Sequence, residues 1–276
     1  MSQTSHTPAV DFAVNTFERT YREVLAPGFI ANMIVDHRYS FSRRIVMINN
    51  VKDRENAKER ADSLKRSGEI TEYYFVADLL DKTLQRAGLT LADLQPNVHY
   101  TDCSLTAIFL DGSDFLVYCD ADVRLKEPHD WITQSIKLMT QDARIAVANP
   151  NWTPDTLKQE AREFCGEFGI GYGFSDQLYL IRRSEFARPI YKFHVPISLR
   201  YPLSATGRVF EQMVDSYMRV NGRMRATLRT SNYIHDAEEG ATYAKLRVCD
   251  RLLQLRNTAL LSTLKILRLK HPRYHV

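Results

Sequence analysis

Phe115-Leu116-Val117-Tyr118-Cys119-Asp120-Ala121-Asp122-Val123 is an apolar run, rich in β-branched and aromatic side chains, that stops at two acids one residue apart. Such a run reads as a buried strand. If strand geometry persists through its end, residues 120 and 122 point the same way, so both carboxylates face one site. Two like charges beside a buried strand end are costly unless a cation or a reacting phosphate sits there. The stretch therefore predicts a divalent metal holding a diphosphate. Its plainer reading is a strand followed by an acidic turn, and the rest of the chain has to separate the two.

Working outward, Ile45–Ile48 and Ile145–Ala148 are continuous apolar runs and read as buried strands ending in Asn49-Asn50 and Asn149-Pro150. Tyr73–Ala77 reads as a strand ending in Asp78, and Val98–Thr101 as a shorter one. Helical patterns fall between them, near 54–67, 79–87 and 129–141, two of them closed by Gly68 and Gly88. Residues 11–25, with Phe12, Phe17, Tyr21, Val24 and Leu25, have helical spacing up to Pro27-Gly28. This β-α alternation predicts a mostly parallel sheet covered on both faces, with ligands bound beyond the carboxyl ends of its strands.

The second part of the chain differs. A helix near 154–164 leads to Gly166, Gly169, Gly171 and Gly173, four of the chain's 11 glycines. Without a preceding buried strand they do not make a dinucleotide loop. A flap offering Tyr172, Phe174 or Trp152 to a sugar fits them, as does a simple turn. A strand over Gln177–Arg182, a helix near 208–221 and the segment Met224–Tyr233 lead to Ile234-His235-Asp236. No repeat or linker divides the 276 residues, which read as one domain.

Composition is that of an ordinary globular protein, 44% hydrophobic and 25% charged. A net charge of +4 is too small for a dedicated nucleic-acid binder. Four cysteines without paired ligand spacing suggest a reduced, cytoplasmic protein. No targeting pattern or membrane-length apolar run is evident.

The order of these parts resembles the GT-A type of nucleotide-sugar glycosyltransferase, of the family 2-like kind that carries Asp-x-Asp. The resemblance spans about residues 43–236. It implies an α/β GT-A fold with a nucleotide-binding half (about 43–150), an acceptor half (151–236) and a C-terminal helical extension (241–276). It also implies Mn²⁺ or Mg²⁺ and a UDP- or GDP-linked sugar donor. Asp122 then corresponds to the direct metal ligand, Asp120 to a ribose or metal contact, and His235 to the late histidine that completes the metal shell. Asn49, Asn50, Asp53 and Asp78 fall where the family binds base and ribose, although Asp53 and Asp78 could equally cap helices. Glu211 matches the general base of inverting members, with Gln212 departing from the common Glu-Asp pair. Asp176 and Asp215 compete for that role, and Glu211 and Asp215, four apart, could be a solvated helix stripe.

Residues 245–273 carry eight basic side chains among many leucines. Their apolar positions run most of the way round a helix, which favours burial over contact with an anionic membrane. The acceptor expected is a carbohydrate or a lipid-linked one, and membrane contact would suit the latter; the helix can equally pack on the domain or form a homo-oligomer.

Three other classes share part of this pattern. A haloacid-dehalogenase-like phosphatase also places Asp-x-Asp at a strand end, but a small hydroxyl residue should follow where Val123-Arg124-Leu125 stands. A GT-A-like nucleotidyltransferase would need a glycine-rich loop where Asn49–Arg54 has none. A non-catalytic sugar-binding module has no need of both acids and the histidine.

Overall fold

The computed structural model describes residues 8–201, 203–235, 248–267 and 271–274. One sheet runs through the molecule. Its strands are β1 (Val10–Thr16), β2 (Arg43–Ile48), β3 (Glu72–Phe75), β4 (Phe115–Cys119), β5 (Val123–Leu125), β6 (Ile145–Asn151), β7 (Ala161–Cys165), β8 (Phe168–Gly171), β9 (Leu178–Arg182) and β10 (Met224–His235). Their order is β3-β2-β1-β4-β9-β6-β10-β8-β7, with β5 paired to β10.

The first four are parallel, as the continuous apolar runs imply. Strand β9 runs against both β4 and β6, and β6 and β10 are again parallel. From β1 the chain steps outward to β2 and β3, then returns to β4 on the other side of β1. That reversal opens a crevice at the carboxyl ends of β1 and β4, where open α/β sheets bind ligands.

Successive residues of β1 serve opposite faces. Val10, Phe12 and Val14 pack with Tyr21, Ile30, Leu64 and Trp131, whereas Ala13 joins Ile45, Met47, Leu116 and Met213 beyond the sheet. Each large apolar side chain so buried contributes about 1.5–3 kcal/mol. The strand also buries a charge. Asp11 accepts from Arg183 at 2.7 Å and from the Ser113 amide at 3.1 Å, fixing the start of β1 against the loop before β4.

Four local expectations are corrected. Residues 10–16 are a strand, and only Tyr21–Val24 of the expected 11–25 helix is helical. Val98–Tyr100 is one turn of 3₁₀ helix. The helix at 154 ends at Glu160 and gives way to β7. The glycine cluster is not a flap but the β7–β8 hairpin, turning at Gly166 with φ +56°. Its glycines permit close approach: a Cβ at Gly171 would stand 2.0 Å from the Glu160 carbonyl oxygen, and one at Gly169 2.5 Å from Leu157.

Val248–Leu267 is a helix, as expected, and the preceding residues 241–247 lie outside the described ones. It rests on the 3₁₀ segment Pro196–Arg200, and between residues 251 and 267 only Asn257 and Leu264 are buried. The expectation that its leucines are mostly buried is therefore overturned. Leu252, Leu255 and Ile266 are 62%, 66% and 80% exposed. At 100° per residue these three cluster opposite Asn257 and Leu264. Among the described residues no helix is long and apolar enough to cross a membrane.

Candidate active site

A cleft of about 580 Å³ opens at that crevice. The end of β1 supplies Asn15 to Arg19, β2 supplies Asn49 and Asn50, and the segment His99–Ser104 forms a further wall. Asp120 and Asp122 stand at the end of β4, with Asp176 and His235 across from them.

Asn15 and Asp120 join the two strands at the switch point. Asn15 Nδ2 donates to Asp120 Oδ1 at 2.6 Å, and Asn15 Oδ1 accepts from the Ala121 amide at 3.0 Å. The Asp120 amide donates to the Gln177 carbonyl at 2.8 Å. The turn between the acids is thus held on both sides.

Beyond it, β5 pairs antiparallel with the last residues of β10, and His235 is in register with Val123. This pairing carries His235 to Asp122, Nε2 to Oδ2 3.2 Å. The other ring nitrogen, Nδ1, meets the Gln177 side-chain amide at 2.9 Å, and Gln177 Oε1 accepts from Tyr233 at 3.2 Å. A Gln amide accepts or donates according to its orientation. With its oxygen accepting from Nδ1–H it would make Nε2 the nitrogen that carries the lone pair, the usual arrangement behind a ligating histidine.

The electrostatics are those of crowded carboxylates. Burial, then the charges of Asp176 and Asp122, hold the Asp120 carboxyl well above the ordinary carboxylate range. Burial pushes Asp176 up to about 6, against the pull of His235. Glu211 is raised well above its ordinary value by burial and by Asp176, with Arg200 acting the other way. A divalent cation would reverse this balance, and carboxylate oxygens with an imidazole suit Mn²⁺ or Mg²⁺. Among the described residues no three metal-binding groups already converge. The pair Asp122–His235 supplies two ligands, and such ions take further oxygens from water and substrate phosphates.

Not every expected residue reaches the cleft. Asn49 lines it while donating to Asp102 at 2.8 Å, and Asn50 sits at its edge with φ +49°, a conformation asparagine tolerates. Asp53 and Asp78 are not among its lining residues. Asp53 caps the helix Arg54–Arg66 through the Asn56 amide at 3.1 Å, and Asp78 pairs with Arg54 at 2.6 Å. Glu211, second residue of the helix Phe210–Val220, lies behind Asp176 rather than on the wall. Asp215 is not part of a solvated stripe and does not line the cleft. It is fully buried, accepting from Arg219 at 2.8 Å and from the Gly173 amide at 3.1 Å.

Sequence reasoning misses Asn15, Thr16, Phe17 and Arg19, because the spacing over 11–25 predicts a helix where β1 stands. The signal available is that Val10–Val14 also ends, like its neighbours, in an amide residue. It misses Gln177 as well, for which only the spatial pairing with His235 speaks.

No protein-family model matches the sequence, and no curated protein matches it. Solved structures do. The chain superposes on GalNAc-T7 with UDP, GalNAc and Mn²⁺ at TM-score 0.50 and 9% identity, covering 91% of this chain and 48% of that one. The mannosyltransferase PcManGT from Pyrobaculum calidifontis, with GDP-Man and Mn²⁺, gives TM-score 0.46 and 11% identity over 95% of this chain and 76% of that one. Glucosyl-3-phosphoglycerate synthase from Mycobacterium tuberculosis gives 0.43 and 12%, over 94% and 78%. The chain has the GT-A glycosyltransferase fold, and the resemblance read from motif order holds at that level. It spans about half the length of the GalNAc-T7 chain.

Proposed function

We propose that the protein is a metal-dependent glycosyltransferase that moves a sugar from a UDP- or GDP-linked donor to a hydroxyl acceptor, with inversion. The observation that carries this is the meeting of Asp122 and His235, 3.2 Å apart, beside a cleft at the switch point of a GT-A sheet. The GalNAc-T7 structure, whose fold this chain shares, holds UDP and Mn²⁺.

Asp122 and His235 would hold the cation, and when bound it offsets the charge that develops on the departing diphosphate. Asp120, fixed by Asn15, is placed to orient the donor's ribose. Asn49 and Asn50 present amides for a nucleobase edge, and Arg19 brings a positive charge to the same wall. Glu211 takes the proton of the acceptor hydroxyl as that oxygen bonds to the anomeric carbon and the nucleoside diphosphate leaves. Burial makes the Glu211 carboxylate more basic than an exposed one, which suits proton removal.

In this reading the nucleotide half, about 43–150, is joined by β1, whose end lines the same cleft, and residues 151–236 form the acceptor half. Free thiols at Cys103, Cys119 and Cys165 fit a reducing, cytoplasmic location. The exposed stripe Leu252, Leu255 and Ile266, flanked by Arg251, Arg256 and Lys265, suits peripheral contact with an anionic membrane.

The test is release of UDP or GDP from its nucleotide sugars with Mn²⁺ present. Release that EDTA abolishes supports the reading. Hydrolysis of p-nitrophenyl phosphate without any action on nucleotide sugars would replace it with a phosphatase.

A further inference from the structure

Behind the Glu211 helix lies a second cavity, of about 320 Å³, that the donor site does not use. Its wall is basic: Arg162, Arg200 and Arg219 line it beside Glu160, Gln159 and Tyr172. Arg225 stands just behind, paired with Glu160, which also meets Arg200 at 3.4 Å. Arg219 pairs with Asp215 at 2.8 Å and stacks on Tyr172, whose ring centroid is 4.8 Å from its guanidinium carbon. Arg162 covers the same ring at 5.1 Å. Four guanidinium groups thus gather around the carboxylates of Glu160, Asp215 and Glu211, and one positive charge, carried at the open side by exposed Arg162, is in excess. Arg219 and Arg225 are only 4% and 7% exposed. Held by those carboxylates, the guanidinium groups offer an entering anion donors that are already fixed in place.

The cavity adjoins the candidate base. Arg200 lines it and also draws down the Glu211 carboxyl. Gly173 lies against the cluster: a Cβ there would be 2.5 Å from Arg200 Nη2. Three residues on is Asp176, in the cleft wall, so at most about 11 Å of backbone separates the two sites.

We infer that this cavity binds the phosphate group of the acceptor, presenting a hydroxyl of the same molecule to Glu211. Planar guanidinium forks match phosphate oxygens in paired hydrogen bonds. The acceptor role rests on the transferase reading; the anion binding does not. A free phosphate ester and a lipid headgroup share this chemistry. The apolar groove lined by Leu203 and Leu261 also reaches Arg200 and would take a lipid tail.

Calorimetry on the full chain separates the sources, using glycerol 3-phosphate and monomeric dihexanoyl phosphatidic acid as probes. Binding of the first marks a soluble phosphate ester, and binding of the second alone marks a lipid-borne one. In either case Arg162→Gln, at an exposed position, weakens binding about tenfold or more. Arg200→Lys, which keeps the charge but loses the fork, also weakens it. Asp122→Ala leaves phosphate binding intact while removing metal-dependent nucleotide binding. Failure of wild type to bind nucleotide with phosphate still bound would sink the transferase reading alone. No binding of either probe, or equal binding by Arg162→Gln, overturns the anion site.

Discussion

His235 and Asp122, 113 residues apart in the chain, meet at 3.2 Å because β5 zips onto the end of β10 directly after the acidic pair. The strand that ends in two carboxylates and the strand that ends in histidine are parts of one sheet system. The His235 and Asp122 side chains stay 24% and 47% exposed, so the pair is open to a ligand rather than sealed in the core. Replacing His235 by Ala should weaken Mn²⁺-dependent nucleotide binding without lowering the melting midpoint, and a large stability loss would mark the pair as structural.

Gln177 is the support behind that histidine. Gln177→Ala should reduce metal affinity about 10- to 100-fold, the usual range for a partner behind a ligating histidine. Titration of Mn²⁺ by electron paramagnetic resonance reads this directly. Unchanged affinity would mean His235 does not ligate through Nε2.

Asn15 bonds both Asp120 and the Ala121 amide. Asn15→Ala should cost about 1.5–3 kcal/mol in donor binding or stability, as for a lost hydrogen bond to a charged group. Equal nucleotide affinity and an equal melting midpoint would show that the turn holds itself.

Glu211→Gln should leave nucleotide binding intact and lower transfer by about 10²- to 10⁴-fold, the range for a general base. Retained turnover would move the base to Asp176.

His37 offers a pH test apart from the chemistry. It is buried, accepts from Trp131 Nε1 at 2.9 Å, and burial lowers its pKa to about 3. The unfolded chain binds this proton near pH 6.5 and the folded one only near 3, so stability falls as pH drops between them. Each pH unit in that window removes about 1.4 kcal/mol. His37→Gln, measured by urea unfolding from pH 7 to 4.5, should show a shallower acid loss than wild type. Parallel curves would refute the burial argument.

Much of the parallel half was legible because its strands are continuous apolar runs with polar ends, a pattern that needs no distant partner. β4 and its acids are the clearest case. β1 was not legible for a physical reason. Asp11 interrupts its apolar run, and the charge is tolerated because Arg183, 172 residues away, Arg43 and the Ser113 amide all reach it. With that break, Phe12, Phe17, Tyr21 and Val24 fitted a helix better than a strand, and the β1 wall of the cleft went unseen. Asp53 and Asp78 show the opposite error. Acids at strand ends are also acids at helix starts, and capping or a local ion pair absorbs them. The glycine cluster looked like a flap because glycine freedom and glycine closeness share one letter. Only the packed structure shows Glu160 and Leu157 pressed against it.

The most direct test of the central claim is calorimetry of UDP and GDP binding with and without Mn²⁺, on wild type and Asp122→Ala. The account predicts that one nucleotide binds wild type, only with the metal, and that the variant loses this binding. Metal-independent binding, or equal binding by Asp122→Ala, would contradict it.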